Sequence, residues 1–153
     1  MSVIDYVPED ESAAPSSDWR YHGEAPPEPT AWLIKNVLPQ TGAGLISGQW
    51  GSYKTTVALE LAVSTMTGVP FADRYVVKRR GGVVCFAPEG ANGLASRLSA
   101  IATQRGHSGT LPFAWKADCP PLMAKDALTT LTNEVTQAAE HFKSNSASHS
   151  RWS

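Results

Sequence analysis

The chain has 153 residues, of which 42% are hydrophobic and 18% are charged, a composition typical of one soluble globular domain. A net charge of −1 and a pI near 6.4 exclude a bulk electrostatic attraction to nucleic acid or to an anionic membrane surface. No apolar run approaches the length of a membrane span and the acidic N-terminus does not resemble a signal peptide, so we expect a cytoplasmic protein without membrane contacts.

Acidic residues and prolines dominate residues 1–29, which hold seven carboxylates and five prolines. This composition cannot bury enough apolar surface to offset the entropy of ordering, so the segment is predicted to be a disordered leader. Residues 144–153 hold five serines and no apolar periodicity, and are predicted to be a disordered tail. The folded domain is therefore expected to span residues 30–143.

The first half of this domain combines short apolar runs with one helical pattern. After an apolar approach at 32–38 and a turn at 39–42, the run Ala43–Ser47 is predicted to be a buried strand. Apolar residues then recur mostly at helical spacing from Val57 to Val69, and Gly68 and Pro70 supply stop signals. One helix of about four turns is expected here.

The second half repeats the alternation of strand and helix. The continuous apolar run at 82–87 is typical of a parallel strand covered on both faces. A helical pattern from Leu94 to Ala102 ends at Gly106, a third strand is predicted at 111–115, and Asp126 is a candidate cap for a third helix. This order predicts the α/β class, with a mainly parallel sheet and flanking helices.

A phosphate-binding loop is the clearest functional signal. Gly48, Lys54 and Thr55 occupy the first, seventh and eighth positions of the pattern G-x-x-x-x-G-K-[ST], and Tyr53 replaces the glycine at the sixth. The loop follows an apolar run and opens a helix, a setting in which backbone amides and the helix dipole bind phosphate. The predicted ATP-contacting residues are Gly48, Gln49, Trp50, Gly51, Ser52, Tyr53, Lys54, Thr55 and Thr56.

Each residue of this loop has an expected role. Lys54 is predicted to reach the β- and γ-phosphates, and the Thr55 hydroxyl to bind Mg²⁺. Tyr53 must point away from the phosphates, and is expected to pack outward, against the nucleotide or against a neighbouring subunit. The structural alternative is a plain strand-to-helix turn with a solvated Lys54, but a cation in a first helical turn opposes the dipole unless an anion compensates.

The chain resembles the RecA-like ATPases of plasmids, phages and mobile elements that are related to the RepA-type hexameric replicative helicases. The resemblance covers Trp32 to Phe142 and is carried by three stretches: residues 44–47 leading into the phosphate loop, the helix at 55–62, and residues 82–90 followed by Leu94 and Arg97-Leu98. It implies a RecA-like P-loop NTPase core, ATP hydrolysis, a hexameric homo-oligomer and a link to DNA replication or mobile-element maintenance. It also implies that Glu89 is the general base that activates the attacking water; capping of the next helix is the alternative role.

The chain departs from that family after Phe142. A later apolar strand ending in a Mg²⁺-binding aspartate has no counterpart, and Asp118 is a poor candidate because Lys116 interrupts the preceding apolar run. A truncated or frameshifted reading frame is the expectation, with an incomplete core that binds nucleotide weakly and hydrolyses little alone. A non-catalytic nucleotide-binding or assembly fragment is the second hypothesis, and a P-loop kinase, which would need an arginine-rich lid, is the third.

The remaining reactive side chains carry no pattern of a second site. Cys85 and Cys119 lack metal-ligand spacing and are expected to be free thiols. The four histidines are scattered and receive no catalytic role. The run Lys78-Arg79-Arg80 is a possible contact for nucleic acid or for a neighbour's nucleotide, or else a solvated loop before a strand. DNA therefore stays a possible partner that the overall charge does not indicate.

Overall fold

The structure is a computed structural model that describes residues 22–23 and 29–149, the last four as backbone only. Apart from residues 22–23 and 29, the predicted leader lies outside the described residues, as do residues 150–153 of the predicted tail. In chain order the elements are β1 (Trp32–Ile34), β2 (Leu38–Pro39), α1 (Lys54–Thr67), β3 (Val83–Phe86), a 3₁₀ turn (Ala91–Gly93), α2 (Leu94–Gln104), β4 (Phe113–Lys116) and α3 (Ala127–His149).

The apolar approach before the phosphate loop forms a small antiparallel hairpin of β1 and β2. Asn36 takes a left-handed conformation (φ 63°) in the turn, which a short polar side chain tolerates well. Ile34 is fully buried, and its neighbour Lys35 donates from its backbone N–H to the Val76 carbonyl at 2.9 Å. The hairpin is therefore tied to the segment that leads into β3.

The predicted strand Ala43–Ser47 does not form. The segment has no strand pairing among the described residues, and the side chains of Leu45 and Ile46 are 89% and 43% exposed. An apolar run indicates what could be buried, but a strand also needs a neighbour to pair with its backbone groups. Within residues 29–149 the parallel sheet consists of β3 and β4 alone, and the segment at 43–47 pairs with neither of them.

Helix α1 confirms the predicted helix and its stop signal. Gly68 takes a left-handed conformation (φ 83°) at the C-terminus, and its N–H donates to the Ser64 carbonyl at 2.8 Å. The helix contributes Leu59, Ala62, Val63 and Met66 to the main core, which it shares with residues of β4, α2 and the end of β3: Ala87, Leu94, Leu98, Ile101, Ala102 and Phe113.

The two predicted strands at 82–87 and 111–115 form a parallel pair, with Val83 opposite Phe113 and Phe86 opposite Lys116. Because side chains alternate along a strand, Val83 and Cys85 pack against the core of α1 and α2. The opposite face of the pair lines a cavity of about 330 Å³ beneath α3. A mixed α/β domain with a parallel sheet and flanking helices is confirmed.

Helix α3 begins near the predicted position and extends further than predicted. The Asp126 carbonyl accepts the Thr130 N–H at 2.9 Å, but the helix then continues to His149, so residues 144–149 of the predicted tail are helical. Serine and asparagine are only modestly unfavourable in a helix, and each added residue gains a hydrogen bond once the helix exists.

No helix in the described part of the chain combines the length and apolar character required to cross a bilayer.

Both cysteines are free, as expected. Partial burial raises the pKa of the Cys85 thiol, which sits on β3 against the main core. A raised pKa disfavours the reactive thiolate, so Cys85 serves as a small apolar core residue.

One glycine allows α3 to dock on the sheet. A Cβ added to Gly82, just before β3, would lie 2.6 Å from the Phe142 ring and 3.2 Å from the Pro112 carbonyl oxygen. We predict that Gly82→Ala lowers the free energy of unfolding by roughly 1–3 kcal/mol, because the Phe142 ring and the Pro112 carbonyl must shift to admit the methyl group. Urea denaturation followed by circular dichroism measures this change.

The adjacent Gly81 provides a matched control, since a Cβ added there meets nothing within 4 Å. Gly81→Ala should leave the unfolding free energy within about 0.5 kcal/mol of the wild type. Equal effects of the two substitutions would contradict the packing of Phe142 on Gly82.

Candidate functional site

Lys54 holds the loop that precedes α1 in a closed conformation. Its ammonium group donates to the carbonyl oxygens of Gly48 at 2.9 Å and Gln49 at 2.6 Å, and lies 3.4 Å from Ser52 Oγ. Ser52 adds two bonds to the same Gln49 carbonyl, from its backbone N–H at 3.2 Å and its hydroxyl at 2.7 Å. The loop is therefore fixed by hydrogen bonds from its own lysine and serine.

Glycine is favoured at two positions of this loop for different physical reasons. Gly51 has a φ of +80°, in the left-handed region that glycine adopts without a steric penalty. Gly48 lies close to Ser52, because a Cβ at position 48 would be only 2.6 Å from Ser52 Oγ. A side chain at position 51 would therefore strain the backbone, and one at position 48 would displace the Ser52 hydroxyl.

Tyr53 stands where the motif has glycine, yet its backbone adopts the conformation that glycine would have there. Its backbone is left-handed (φ 59°, ψ 21°), the conformation that glycine would adopt easily at this position. Its side chain is 76% exposed, so it does not pack into the protein core, and the three placements expected from the sequence stay predictions. The loop keeps the required backbone turn and stores some strain at this residue.

No side chain of the described residues caps the N-terminus of α1 or offsets the positive end of its dipole. Tyr53, at the cap position, makes no side-chain capping hydrogen bond, and the first turn of the helix contains no acidic residue. The first amides of a helix lack partners within it and carry the positive end of its dipole. Lys54 adds a full positive charge in the same turn, so this end of the helix favours an anion.

Thr55 and Thr56 follow the lysine with exposed side chains. Later threonines of α1 donate their hydroxyls to the carbonyl four residues earlier, as Thr65 does to Leu61 at 2.8 Å. Neither Thr55 nor Thr56 makes a side-chain hydrogen bond within the described residues. The hydroxyl that the sequence assigns to Mg²⁺ is thus free to bind a ligand.

The only Mg²⁺ ligand that the sequence assigns in this loop is the Thr55 hydroxyl. Residues 29–149 hold no group of three His, Cys, Asp or Glu side chains that could bind a metal ion. Mg²⁺ commonly takes one or two protein oxygens and completes its shell with water and substrate phosphates, which a single threonine hydroxyl can accommodate.

Glu89 lies in the turn that follows β3, before Gly90 with its left-handed φ of 73°. Its side chain is exposed and makes no hydrogen bond or ion pair within the described part of the chain. Neither the 3₁₀ turn nor α2 has a side-chain capping hydrogen bond, and the base and capping roles of Glu89 both stay predictions. Its carboxylate is available to a ligand.

The end of β4 carries a different arrangement. Lys116 forms an ion pair with Glu134 of α3 at 2.6 Å, and hydrogen bonding to this carboxylate raises the pKa of Lys116 above its ordinary value. Asp118 follows in an exposed position two residues later. The residue that interrupts the apolar run of β4 thus has a structural partner on α3.

Arg105 is the residue that sequence reasoning missed. Its guanidinium binds Glu60 of α1 at 2.9 Å and Asp73 of the 71–75 turn at 2.6 Å. Hydrogen bonding to Glu60, more than the other contacts, raises the already high pKa of this arginine. The three residues lie far apart in the chain, so no local spacing could have revealed that this cluster ties α1 to the end of α2.

A comparison with protein families gives one match. A family model described as an AAA domain matches residues 8–146, which is most of the chain. No curated protein and no solved structure matches the chain significantly.

The left-handed backbone of Tyr53 can be tested through the order of two substitutions. We predict that Tyr53→Gly is more stable than Tyr53→Ala by about 1 kcal/mol, because a Cβ is strained in this conformation. At the exposed helical position Ala58 the order should be reversed, with Ala58→Gly less stable than the wild type by about 1 kcal/mol.

Thermal and urea denaturation of the four proteins give the comparison. If alanine were favoured over glycine at position 53 as well, the loop would not have the left-handed turn that precedes α1.

Proposed function

The chain belongs to the AAA domain family of ATPase-type nucleotide-binding domains, and on this premise we propose that it binds ATP at the loop of residues 48–54. The observation that carries this proposal is the ammonium of Lys54 held over the loop carbonyls of Gly48 and Gln49, beside an uncapped helix N-terminus. Cation, free amides and helix dipole meet at one place, and a polyphosphate satisfies all three.

Binding exchanges the partners of Lys54. In the closed loop the ammonium group neutralises only the partial charges of carbonyl oxygens, whereas phosphate oxygens carry full negative charge. Charge-assisted hydrogen bonds are stronger than those to neutral acceptors, so the lysine is expected to turn toward the β- and γ-phosphates when ATP arrives. The backbone amides at the start of α1 supply the remaining donors.

Mg²⁺ belongs to the proposal as the partner of the triphosphate. When bound, it neutralises part of the phosphate charge that develops during phosphoryl transfer. Of this chain, the Thr55 hydroxyl would hold it, since that group is exposed and makes no other side-chain hydrogen bond within the described residues.

We assign hydrolysis to Glu89 in this proposal. Phosphoryl transfer requires a group that orients and deprotonates the attacking water, and an unpaired carboxylate at the carboxyl end of a parallel strand suits that role. Glu89 follows β3, which packs against α1, the helix that Lys54 opens. Its exposed and unpartnered state supports the assignment over a capping role.

The second candidate is a nucleotide-binding module without hydrolysis. It is favoured by the carboxyl end of β4, where Lys116 is engaged with Glu134 and no acidic residue joins Glu89 in a metal-binding group among the described residues. Nucleotide binding is common to both candidates, and turnover separates them.

The resemblance to RepA-type helicases extends the proposal to a RecA-like core in a hexameric assembly that serves DNA replication or mobile-element maintenance. A possible DNA contact is the exposed run Lys78-Arg79-Arg80, whose first two residues are tied to Leu33 of β1 through their backbone N–H groups. Stimulation of ATP hydrolysis by single-stranded DNA, weakened by Lys78→Ala with Arg79→Ala, would link the site to that role.

The lysine is the first target for a binding experiment. We predict that Lys54→Ala weakens ATP binding by roughly tenfold to a hundredfold, since it removes a charged hydrogen-bond donor to phosphate. Isothermal titration calorimetry with Mg²⁺ present measures the affinity. Lys35→Ala, which removes an exposed lysine outside the loop, should bind ATP like the wild type; equal affinities for all three proteins would refute the site.

Glu89→Gln tests the catalytic assignment. We predict unchanged ATP affinity and at least a hundredfold loss of phosphate release, because the amide cannot accept the proton of the attacking water. Glu140→Gln removes an exposed carboxylate of α3 and serves as the control with wild-type turnover.

Two results would change the conclusion. Turnover that survives Glu89→Gln would remove Glu89 as the base. A wild-type chain that binds ATP without releasing phosphate would favour the non-catalytic module.

A further inference from the structure

Strand pairing brings two lysines to one exposed face beside the β1–β2 hairpin. Ile34 of β1 forms an antiparallel bridge with Val77. The Lys35 N–H donates to the Val76 carbonyl at 2.9 Å, and the Lys78 N–H donates back to β1 at 2.8 Å. Because side chains alternate along a strand, the residues on either side of Ile34 and Val77 point to the face opposite this pair. Ile34 is fully buried, and Lys35 and Lys78 are exposed, so both lysines lie on the solvent side of the bridge.

Two exposed arginines flank these lysines along the chain. We call the resulting set the basic face: Lys35, Arg74, Lys78 and Arg79. The Arg74 guanidinium lies 5.4 Å from the centre of the Tyr75 ring. No side chain of the basic face forms an ion pair within the described residues, and Asp73, next to Arg74 in the chain, is bound by Arg105. Four positive charges therefore lack a described counter-charge.

The N-terminal part of the chain has the opposite charge. Residues 1–21, which lie outside the described residues, carry five carboxylates and one basic residue, Arg20. Three of the carboxylates form the run Glu9-Asp10-Glu11, and the match to the AAA domain family begins at residue 8, so this run lies within the matched region. Opposite charges on one chain also attract at a high effective concentration, because the chain itself links them.

The chain is long enough for the acidic run to meet the basic face. Pro29 lies three residues before β1, and Lys35 is the first residue after that strand. At about 3.3 Å per residue, Lys35 is at most roughly 20 Å from Pro29. A random coil of about 20 residues, the separation of the acidic run from Pro29, spans roughly 22–27 Å. The run can therefore reach Lys35 without any rearrangement of the described fold.

We infer that the acidic run Glu9-Asp10-Glu11 docks on the basic face of its own chain and shields it from other polyanions. This contact is independent of the ATP site. It bears on the proposed DNA contact, since nucleic acid and the acidic run would compete for Lys78 and Arg79. Exposed ion pairs are individually weak and screened by salt, so a nucleic acid with many phosphates can displace the run.

Carbodiimide cross-linking of the full chain tests the contact directly. The reagent joins a carboxylate to a lysine amine without a spacer, so it reports pairs that touch, and mass spectrometry of the monomer identifies the joined peptides. The expected products join the acidic run to Lys35 and Lys78. Exposed lysines elsewhere, Lys125 and Lys143, should couple at least about fivefold less, and about 1 M salt should abolish the difference.

Two triple variants with the same change in net charge test the shielding. The leader variant carries Glu9→Gln, Asp10→Asn and Glu11→Gln, and the control variant replaces three exposed carboxylates elsewhere, with Asp118→Asn, Asp126→Asn and Glu140→Gln. We expect the leader variant to bind a single-stranded thymidine oligonucleotide of about 20 nucleotides roughly three- to tenfold more tightly than the control variant, because its basic face is uncovered. Fluorescence anisotropy measures the affinities, and circular dichroism melting curves check that both variants fold like the wild type.

Three results would overturn the inference. Coupling that is equal at all four lysines would show that the acidic run does not dock on the basic face, and coupling found only in cross-linked dimers would place the contact between two copies. Equal oligonucleotide affinities for the two triple variants, including no binding by either, would show that the run shields nothing. Failure of the wild type to bind ATP would refute the ATP site and leave this contact standing.

Discussion

The hydrogen bonds from the Lys54 ammonium to two carbonyls of its own loop set the conformation of the whole candidate site. They place a cation at the positive end of α1, where charge and helix dipole repel each other, and the carbonyl oxygens offset part of that repulsion. The result is a closed loop that is still electrostatically unsatisfied. Such a loop loses little conformational freedom on binding and gains most from a highly charged anion.

The part of the candidate site that could be predicted from the sequence is the part whose residues lie close together in the chain. Gly48, Lys54 and Thr55 lie within eight positions, and the structure brings them to one loop and the first turn of a helix. Tyr53 is the point of departure from the pattern: its left-handed backbone leaves no signal in the sequence, and the surface that its exposed side chain contacts stays a prediction. A motif read as letters does not report φ angles, and a tyrosine held in this conformation by its surroundings meets the same geometric requirement as glycine.

The fold was predictable where periodicity and stop signals agreed. The three helices and the strands of the parallel pair lie close to their predicted positions, because Gly68 and Gly106 mark helix ends and the apolar runs are continuous. The segment at 43–47 was predicted wrongly, since strand formation depends on a pairing neighbour that a local pattern cannot reveal. The hairpin of β1 and β2 was missed because its strands are only three and two residues long. Long-range ion pairs such as that of Arg105 and Glu60 leave no local signal at all.

The two halves of the Arg105 cluster differ in their access to water, and this difference makes them respond unequally to dissolved ions. Arg105 and Glu60 have side chains only 14% and 20% exposed, whereas Asp73 is 86% exposed. Mobile ions screen an open pair strongly and a sheltered one weakly. In concentrated salt the ion pair between Arg105 and Asp73 of the 71–75 turn would therefore weaken first. The pair between Arg105 and Glu60, which joins α1 to the end of α2, would persist.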